Sequence, residues 1–335
     1  FPLLNKYLAG ATASSLNEVK LINDEFKQKA HACFVVYLED EFEEVLDNSS
    51  HVTFNSLSQY KKFKHLIPKH SNVKFGIRID PEYSGSEVDK YNPCLPGGRF
   101  GVKSEDLCKG LPSGITGIHF HALCENDATD LEQVLENVES NFGHCLHEAS
   151  WVNMGGGHHI TRKGYDFELL IDLINTFKEN YKVSVILEPG EAIGWETGVL
   201  KARVEDVLSK DSVHTATLNV SFCAHMPDCL EMPYKPKVRG EIDPAAMNAN
   251  TGVNITTYTF GGNTCMSGDY VKGFTFPQPL IEGDSIVFMD MIHYTFVKST
   301  TFNGVPLPDL AVVSEEGELI VLREFGYEDF KNRLS

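Results

Sequence analysis

The sequence has two shortages that narrow its function. It lacks any uninterrupted apolar run near the roughly 18–20 residues that a membrane-spanning helix needs, because Asp, Asn, Gly or Lys breaks the longest candidates. Basic side chains are also scarce, with 29 Lys and Arg against 47 Asp and Glu and a formal net charge of −18. A negative field repels nucleic-acid phosphates and anionic membranes, although an acidic excess also serves solubility. We therefore expect neither a membrane protein nor a nucleic-acid-binding protein.

Recognisable cysteine pairs are missing too. The eight cysteines include no CxxC motif and no disulfide-dense spacing, which predicts a reducing, cytoplasmic location.

The chain opens at Phe1 without an initiator Met, a basic region or a cleavage site, so we expect the encoded protein to begin upstream. With 42% hydrophobic and 23% charged residues, the composition is that of a globular protein with one large or two unequal domains.

Strand-like and helix-like segments alternate through the first half of the chain. Three- and four-residue apolar spacing predicts helices at Ser15–Lys29, Ser58–Leu66, Asp130–Ser140 and Tyr165–Tyr181. Short β-branched runs predict seven strands, at Gly10–Ala13, Ala32–Tyr37, His51–Asn55, Val73–Ile79, Gly117–Ala122, Trp151–Met154 and Val183–Leu187. Repeated strand–helix units imply parallel strands with helices outside, and closing them into a barrel requires eight strands. We therefore predict an α/β fold, a (β/α)8 TIM barrel over residues 1–198, whose first strand is missing from this chain and precedes a helix at Pro2–Leu8.

The pattern changes after about Trp195. Strands separated by Gly, Pro and Asp turns are predicted at Gly198–Leu208, Ser212–Ser221, Thr256–Phe260, Asp284–Met289 and Glu318–Arg323, with irregular loops that include Asn248–Asn254. We predict a mostly-β C-terminal domain over residues 199–335.

Polar residues follow the predicted barrel strands, at the end where barrel enzymes gather their reactive groups. His119 and His121 share one strand face by the two-residue period, and Cys124 and Glu125 come next. Two such histidines could bind a metal, or one could stack on a planar ligand. Buried core histidines are the alternative interpretation.

Two later strands end in turn motifs. Gly155, Gly156 and Gly157 follow the strand at Trp151 and could present backbone N–H groups to a phosphate, or could form only a tight turn. Glu188 opens a Pro-Gly turn after the next strand. Its carboxylate could hold a protonated ring nitrogen or a metal, or could be a solvated turn residue.

The second half offers further candidates. Cys265 and Asp269 share one glycine-rich loop, where they could act as a proton donor and an anchor for a cation. A buried, inert cysteine is the commoner fate of this residue type. Tyr294 could donate to a phosphate and Phe302 could line a pocket, although both also suit a core.

Taken in order, these motifs resemble the alanine-racemase-like, pyridoxal-phosphate-dependent decarboxylases, the group of the ornithine, arginine and diaminopimelate enzymes. Within that group they look like the motifs of the carboxynorspermidine (carboxyspermidine) decarboxylases. The segments that carry this resemblance are HFHALCE at 119–125, EPGEA at 188–192, AHMPDCLEMPY at 224–234 and GGNTCMSGD at 261–269. The resemblance implies a lyase that removes CO2 from carboxynorspermidine or carboxyspermidine, giving norspermidine or spermidine in polyamine biosynthesis. Decarboxylation of diaminopimelate, arginine or ornithine is the alternative.

The resemblance implies pyridoxal 5'-phosphate as the cofactor and assigns roles to the motifs. His121 would stack on the cofactor ring, Glu188 would pair with the ring nitrogen, and Gly155–Gly157 with Tyr294 would bind the phosphate. Cys265 would protonate the carbanion from the second subunit of a homodimer with shared active sites. A small cationic polyamine substrate would be held by acidic side chains, for which the candidates are Asp269, Glu125, Glu191, Asp228 and Glu231.

The chain departs from the family pattern at four points. Glu191 stands where the common EPGR motif has Arg, Met266 follows the cysteine where ornithine enzymes carry an acid, and Thr12 replaces an acid on the second barrel strand. No lysine here matches the one that forms the Schiff base with the cofactor. We expect that lysine upstream of Phe1.

Two other functions fit parts of the sequence. A barrel zinc hydrolase could use His119, His121, His158, His159 and Glu188 as ligands. A homologue without catalytic activity could bind a partner enzyme or a polyamine if the encoded protein truly lacks the lysine.

Overall fold

The chain folds into two compact units. The computed structural model describes residues 1–86, 88–243 and 255–335, so the predicted loop Asn248–Asn254 lies outside the described residues. The units divide between Ile193 and Gly194, shortly before the predicted boundary after residue 198. Each unit has its own apolar core.

A seven-stranded parallel sheet forms the centre of the first unit, and its strands lie side by side in the order of the sequence. Strands β1–β7 span Thr12–Ala13, Ala30–Ala32, Ser49–Phe54, Lys74–Arg78, Gly117–His119, Trp151–Asn153 and Ser184–Ile186. Helices α1–α6 span Leu16–Phe26, Phe42–Asp47, Leu57–Phe63, Ala128–Leu146, Phe167–Tyr181 and Glu191–Gly194. The predicted α/β class and its parallel strands are confirmed.

Helix α1 illustrates how local sequence builds these units. The Ser15 side chain accepts a hydrogen bond from the Glu18 N–H and caps the first turn. Val19, Ile22 and Phe26 then recur at three- and four-residue spacing and are buried. The apolar stripe therefore faces the core of the unit while the polar residues between its members face solvent.

The Trp151 side chain packs across the neighbouring strands on one face of the sheet. Trp151 on β6 is buried, and Gly76 on β4 and Gly117 on β5 make room for it. A Cβ atom at Gly117 would lie 1.9 Å from Trp151 Cε2, and a Cβ atom at Gly76 would lie 2.6 Å from Trp151 Cη2. The two glycines are thus required by packing rather than by backbone conformation.

Gly117→Ala should therefore destabilise the protein by about 1–3 kcal/mol, because the added methyl group overpacks the interior against Trp151. The matched control is Gly143→Ala on α4, where a Cβ atom meets nothing within 4 Å. That helix substitution should stabilise by about 0.5–1 kcal/mol. Chemical denaturation of both variants checks the pair, and equal effects would contradict the packing explanation.

Two histidines lie next to this tryptophan. The His31 and His51 ring centroids are 4.1 Å apart, and the His51 centroid is 5.0 Å from that of Trp151. Burial, followed by the nearby His31 and Lys74, lowers the pKa of His51 to about 3. His51 is therefore neutral in the folded protein at physiological pH, whereas it gains a proton below about pH 6.5 when the chain unfolds.

Because the unfolded chain binds the extra proton, the neutral His51 should cost stability as the pH falls from 6.5 towards 3. His51→Gln should remove about 1–2 kcal/mol of that acid-induced loss, since solvent partly reaches the ring. The measurement is the free energy of unfolding at pH 7 and pH 4.5. The exposed His65→Gln serves as control, and parallel pH curves for His51→Gln and the parent protein would refute the expectation.

The second unit is mostly β, as predicted. A five-stranded sheet runs in the order β11-β10-β9-β8-β12, and β13 pairs with β14 in a separate hairpin. Strands β8–β14 span Val199–Lys210, Val213–Leu218, Thr256–Gly261, Tyr270–Phe276, Ser285–Met289, Leu310–Val313 and Leu319–Arg323. Helices α7–α10 span Phe222–His225, Pro227–Glu231, Tyr294–Val297 and Tyr327–Leu334. Stacked aromatic rings at Phe260 and Phe274 lie in its core.

Some predicted boundaries are wrong. The second strand is Ala30–Ala32 rather than Ala32–Tyr37, because the chain leaves the sheet after the Cys33 N–H bonds to the Ala13 carbonyl. The predicted helix at Pro2–Leu8 is only a 3-10 turn at Leu4–Lys6. Among the described residues, no helix combines the length and apolar character that crossing a membrane requires.

Candidate active site

A cavity of about 860 Å³ opens at the carboxyl ends of the strands of the first unit. Parallel α/β folds bind their ligands at this end. The described residues of the lining all belong to the first unit. Several of them lie at or just beyond the carboxyl ends of five strands: Thr12, Cys33, Arg78, His119, His121 and Glu188. The sequence-predicted residues His121 and Glu188 are thus brought into one cavity, together with Gly156.

Of the residues that the structure describes, Glu188 is the only acidic side chain in this lining. Its Oε1 accepts hydrogen bonds from Thr12 Oγ1 at 2.6 Å and Asn153 Nδ2 at 2.5 Å, and its Oε2 lies 3.3 Å from His119 Nε2. Burial by itself raises the pKa of Glu188, but His119, Thr12 and Asn153 outweigh it and lower the pKa to about 2. Glu188 is therefore a carboxylate at every physiological pH.

His119 is the charged partner of this carboxylate. Its side chain is only 3% exposed, and Cys33 Sγ lies 3.6 Å from its Nδ1. Burial by itself lowers the pKa of His119, but Cys33 and Glu188 outweigh it and raise the pKa to about 9. The result is a buried imidazolium–carboxylate pair beneath the cavity.

The pKa of His121 is shifted in the opposite direction to that of His119. Burial, with the charges of Arg78 and His119, lowers its pKa to about 4, so its ring is neutral. Its Nδ1 accepts a hydrogen bond from the Gly156 N–H at 2.9 Å, which fixes the ring plane. A neutral imidazole held in place is suited to packing against a planar ligand.

The glycine run after β6 is held largely by the protein itself. The Gly155 N–H donates to Asn153 Oδ1 and the Gly156 N–H to His121 Nδ1, both at 2.9 Å. Among the described residues, no acceptor bonds to the Gly157 N–H. Gly155 and Gly157 have φ values of +72° and +82°, and glycine adopts these left-handed conformations without strain. Of the three predicted phosphate-binding amides, the one at Gly157 therefore has no protein acceptor among the described residues, whereas Gly156 is the glycine that lines the cavity.

Three residues of the cavity were missed at the sequence level. Arg78 ends β4 and is 8% exposed, and its guanidinium lies 4.3 Å from the Phe100 ring centroid. Arg99 lies 4.5 Å from the same centroid, and Lys90 also lines the cavity. Arg78 had one available signal, since an arginine that closes an apolar strand is unusual. In the described part of the lining, three cationic side chains thus favour an anionic ligand.

The second unit holds the predicted Cys265 loop. Cys265 is exposed, and its backbone N–H donates to Asn303 Oδ1 at 3.0 Å. Asp269 is 4% exposed, and its carboxylate accepts from the Cys223 N–H at 3.0 Å and from Thr264 Oγ1 at 2.5 Å. These hydrogen bonds tie Asp269 to its own loop, and its role as an anchor for a cation stays a prediction.

The other predicted residues lie apart from this lining. Asp228 is paired with Lys298, whose Nζ lies 2.6 Å from Asp228 Oδ1 and 2.6 Å from Glu231 Oε2. Tyr294 is 57% exposed, in the second unit. Glu125 and Glu191 belong to the first unit and are not part of the cavity lining.

The residues proposed for a zinc site are not assembled as one. Within the described ranges, no group of three or more His, Cys, Asp or Glu side chains could hold a metal ion. His158 and His159 are buried, with His158 Nε2 3.4 Å from the Met154 carbonyl. The zinc-hydrolase interpretation thus has no donor set to support it.

Comparisons with known proteins agree with one another. Residues 33–292 match the family described as pyridoxal-dependent decarboxylase, C-terminal sheet domain. A carboxyaminopropylagmatine decarboxylase of Synechocystis sp. is 46% identical over 100% of this chain and 84% of its own length. A carboxynorspermidine/carboxyspermidine decarboxylase of Campylobacter jejuni is 42% identical over 99% of this chain and 87% of its own length.

A solved structure of a decarboxylase has a fold similar to that of this chain. The crystal structure of carboxynorspermidine decarboxylase from Campylobacter jejuni, complexed with norspermidine, aligns with a TM-score of 0.88 and 40% identity. The alignment covers 99% of this chain and 88% of that one. The family match over most of the chain, and relatives this similar over nearly their full lengths, show that the chain belongs to the pyridoxal-phosphate-dependent decarboxylases.

Proposed function

We propose that this decarboxylase acts on carboxynorspermidine and carboxyspermidine, releasing CO2 to form norspermidine and spermidine in polyamine biosynthesis. The observation that carries the substrate is the 40% identical Campylobacter jejuni structure, which is complexed with norspermidine. We also propose a cytoplasmic location, which is supported by the eight cysteines, all of them free.

The residues of the cavity fit pyridoxal phosphate by their chemistry. Glu188, ionised and aimed by three donors, would hold the ring nitrogen, and the neutral His121 would lie against the ring. The glycine run at Gly155–Gly157 would bind the phosphate, with the Gly157 N–H as the amide that has no protein acceptor among the described residues and Tyr294 as a further proposed donor. The cofactor, when bound, supplies an electron sink for the pair of electrons that departing CO2 leaves behind.

We also propose that the seven strands belong to an eight-stranded (β/α)8 barrel. Strands β1 and β7 are the two edges of the sheet. The Thr12 hydroxyl on β1 nevertheless donates a hydrogen bond to Glu188, which is separated from the end of β7 only by Leu187. The carboxyl ends of the edge strands thus come within hydrogen-bond reach, which supports a nearly closed sheet with room for one more strand. That strand and its Schiff-base lysine stay predictions.

A homodimer with shared sites completes this proposal. A polyamine substrate needs carboxylates, yet among the described residues the cavity is lined by three cationic side chains, at Arg78, Lys90 and Arg99, and by Glu188 as the one acid. The acids for the substrate amines, and Cys265 as proton donor, are therefore proposed to come from outside this lining, with the second subunit as their source.

A second substrate has its own support. The Synechocystis relative, at 46% identity, is named for carboxyaminopropylagmatine, whose agmatine end carries a guanidinium in place of an amine. A planar guanidinium requires paired acceptors that an ammonium does not. The same cavity with a different outer rim would accept this molecule.

Turnover of the three substrates by the cofactor-loaded, full-length gene product tests the proposal. We expect CO2 release from carboxynorspermidine and carboxyspermidine with kcat/KM values within about tenfold, because one methylene is worth about 1 kcal/mol. A carboxyaminopropylagmatine value more than tenfold higher would transfer the assignment to that substrate. Exclusive turnover of diaminopimelate, arginine or ornithine would overturn both.

A further inference from the structure

The Glu188 carboxylate is held by donors from three separate strands. Thr12 lies on β1, Asn153 ends β6 and His119 ends β5. Two of these donors, a hydroxyl and an amide, bond Oε1, whereas His119 is the donor that faces Oε2. The plane of the carboxylate is thus fixed from two sides, and one of its contacts can change charge.

Other ionisable groups near the pair make no such contact. The charge of Glu188 acts to raise the pKa of Arg78, His31 and His121 without a hydrogen bond to any of them. Cys33 Sγ lies 3.6 and 3.7 Å from the two ring nitrogens of His119. Within the part of the chain that the structure describes, neither Arg78 nor His31 forms an ion pair with Glu188. His119 is therefore the cation in direct hydrogen-bond contact.

The other interior histidines show that burial alone does not produce this state. Burial lowers the pKa of both His31 and His51, and neither ring contacts a carboxylate. His119 is more deeply buried, and its pKa is nevertheless raised because Cys33 and Glu188 both lie against its ring. The contacts of His119 with Cys33 and Glu188, rather than its burial, therefore favour the cation.

We propose that His119 is a positioning residue for the cofactor: it holds Glu188 ionised and oriented beneath the ring nitrogen, while Thr12 and Asn153 fix the other carboxylate oxygen. This role rests on the proposed function of Glu188. A carboxylate already tied to a cation keeps its second lone pair on Oε2 for the ring N–H and does not itself take up the proton. In this chain Thr12 and His119 thus hold the two oxygens of the Glu188 carboxylate from different strands.

The test measures cofactor binding and the absorption spectrum of the bound cofactor between pH 6 and 9 in full-length variants. His119→Gln keeps an amide donor but removes the charge. It should weaken pyridoxal phosphate binding about tenfold and make the spectrum pH-dependent, as one charge-assisted hydrogen bond is lost. Thr12→Val removes a neutral donor, so it should weaken binding while leaving the spectrum independent of pH. His51→Gln, a barrel histidine outside this contact, should match the parent protein in both.

The spectra of these variants distinguish a failure of the proposed role of His119 from a failure of the proposed role of Glu188. A pH-independent spectrum in His119→Gln, alongside an altered spectrum in Glu188→Gln, would overturn the role of His119 and leave that of Glu188 standing. Unaltered spectra in both variants would overturn the proposed role of Glu188 itself. If His119→Gln does not fold, NMR of histidine-labelled parent protein decides instead: a neutral His119 at pH 7.5 contradicts the proposal, and a protonated one supports it.

Discussion

Glu188→Gln should lower kcat/KM for decarboxylation by about 10²–10³-fold, a loss typical of removing one preorganised charge from an active site. Glutamine has the shape of glutamate but is neutral. Its NH2 group would also face one of the donors that now point at the carboxylate, Thr12, Asn153 or His119. The measurement is steady-state CO2 release at matched cofactor content.

The effect should persist across the working pH range. Because the pKa of Glu188 is lowered to about 2, protonation of this group should produce no acid limb in the parent enzyme above about pH 4. Glu179→Gln, an exposed glutamate on α5, is the matched control and should leave turnover unchanged. A Glu188→Gln enzyme within threefold of the parent would show that the carboxylate charge is not used.

The order of strands and helices could be predicted from the sequence because each apolar period is a local property. All seven strands of the first unit overlap their predicted positions, since β-branched runs and turn residues mark them. The short helix Phe42–Asp47 and the strands Tyr270–Phe276 and Leu310–Val313 were missed. Their periods are too brief or too polar to stand out from neighbouring loops, and only tertiary contacts fix them.

The candidate site was predicted less completely, and the reason is geometric. His121 and Glu188 follow strands whose ends must converge, so sequence position alone brought them together. The donors to Glu188 could not be paired in advance, because Thr12 is 176 positions away and His119 is 69. Likewise, the sequence shows that Asp269 shares a loop with Cys265, but not whether its carboxylate faces a ligand or the loop's own backbone.

Asp269 gives the second large effect expected. Its Oδ1 accepts from the Cys223 N–H, and its Oδ2 accepts from the N–H and the hydroxyl of Thr264, the residue before Cys265. Gly262 is needed opposite it, since a Cβ there would lie 2.2 Å from Asp269 Oδ2. Asp269→Ala would leave three partly buried donors without their acceptor and should cost about 1–3 kcal/mol in the free energy of unfolding.

The loop that Asp269 shapes also carries the proposed proton donor, so the substitution should reach turnover as well. We expect kcat for Asp269→Ala to fall to that of Cys265→Ala, with cofactor affinity unchanged, because Asp269 does not line the cavity of the first unit. Asp284→Ala is the matched control: its carboxylate accepts from the Ile281 N–H in an exposed turn, and its loss should cost at most about 1 kcal/mol. If Asp269→Ala instead raises KM for polyamine substrates while kcat and stability stay as in the parent, Asp269 binds substrate amines as the sequence suggested, and its hydrogen bonds to the loop are secondary.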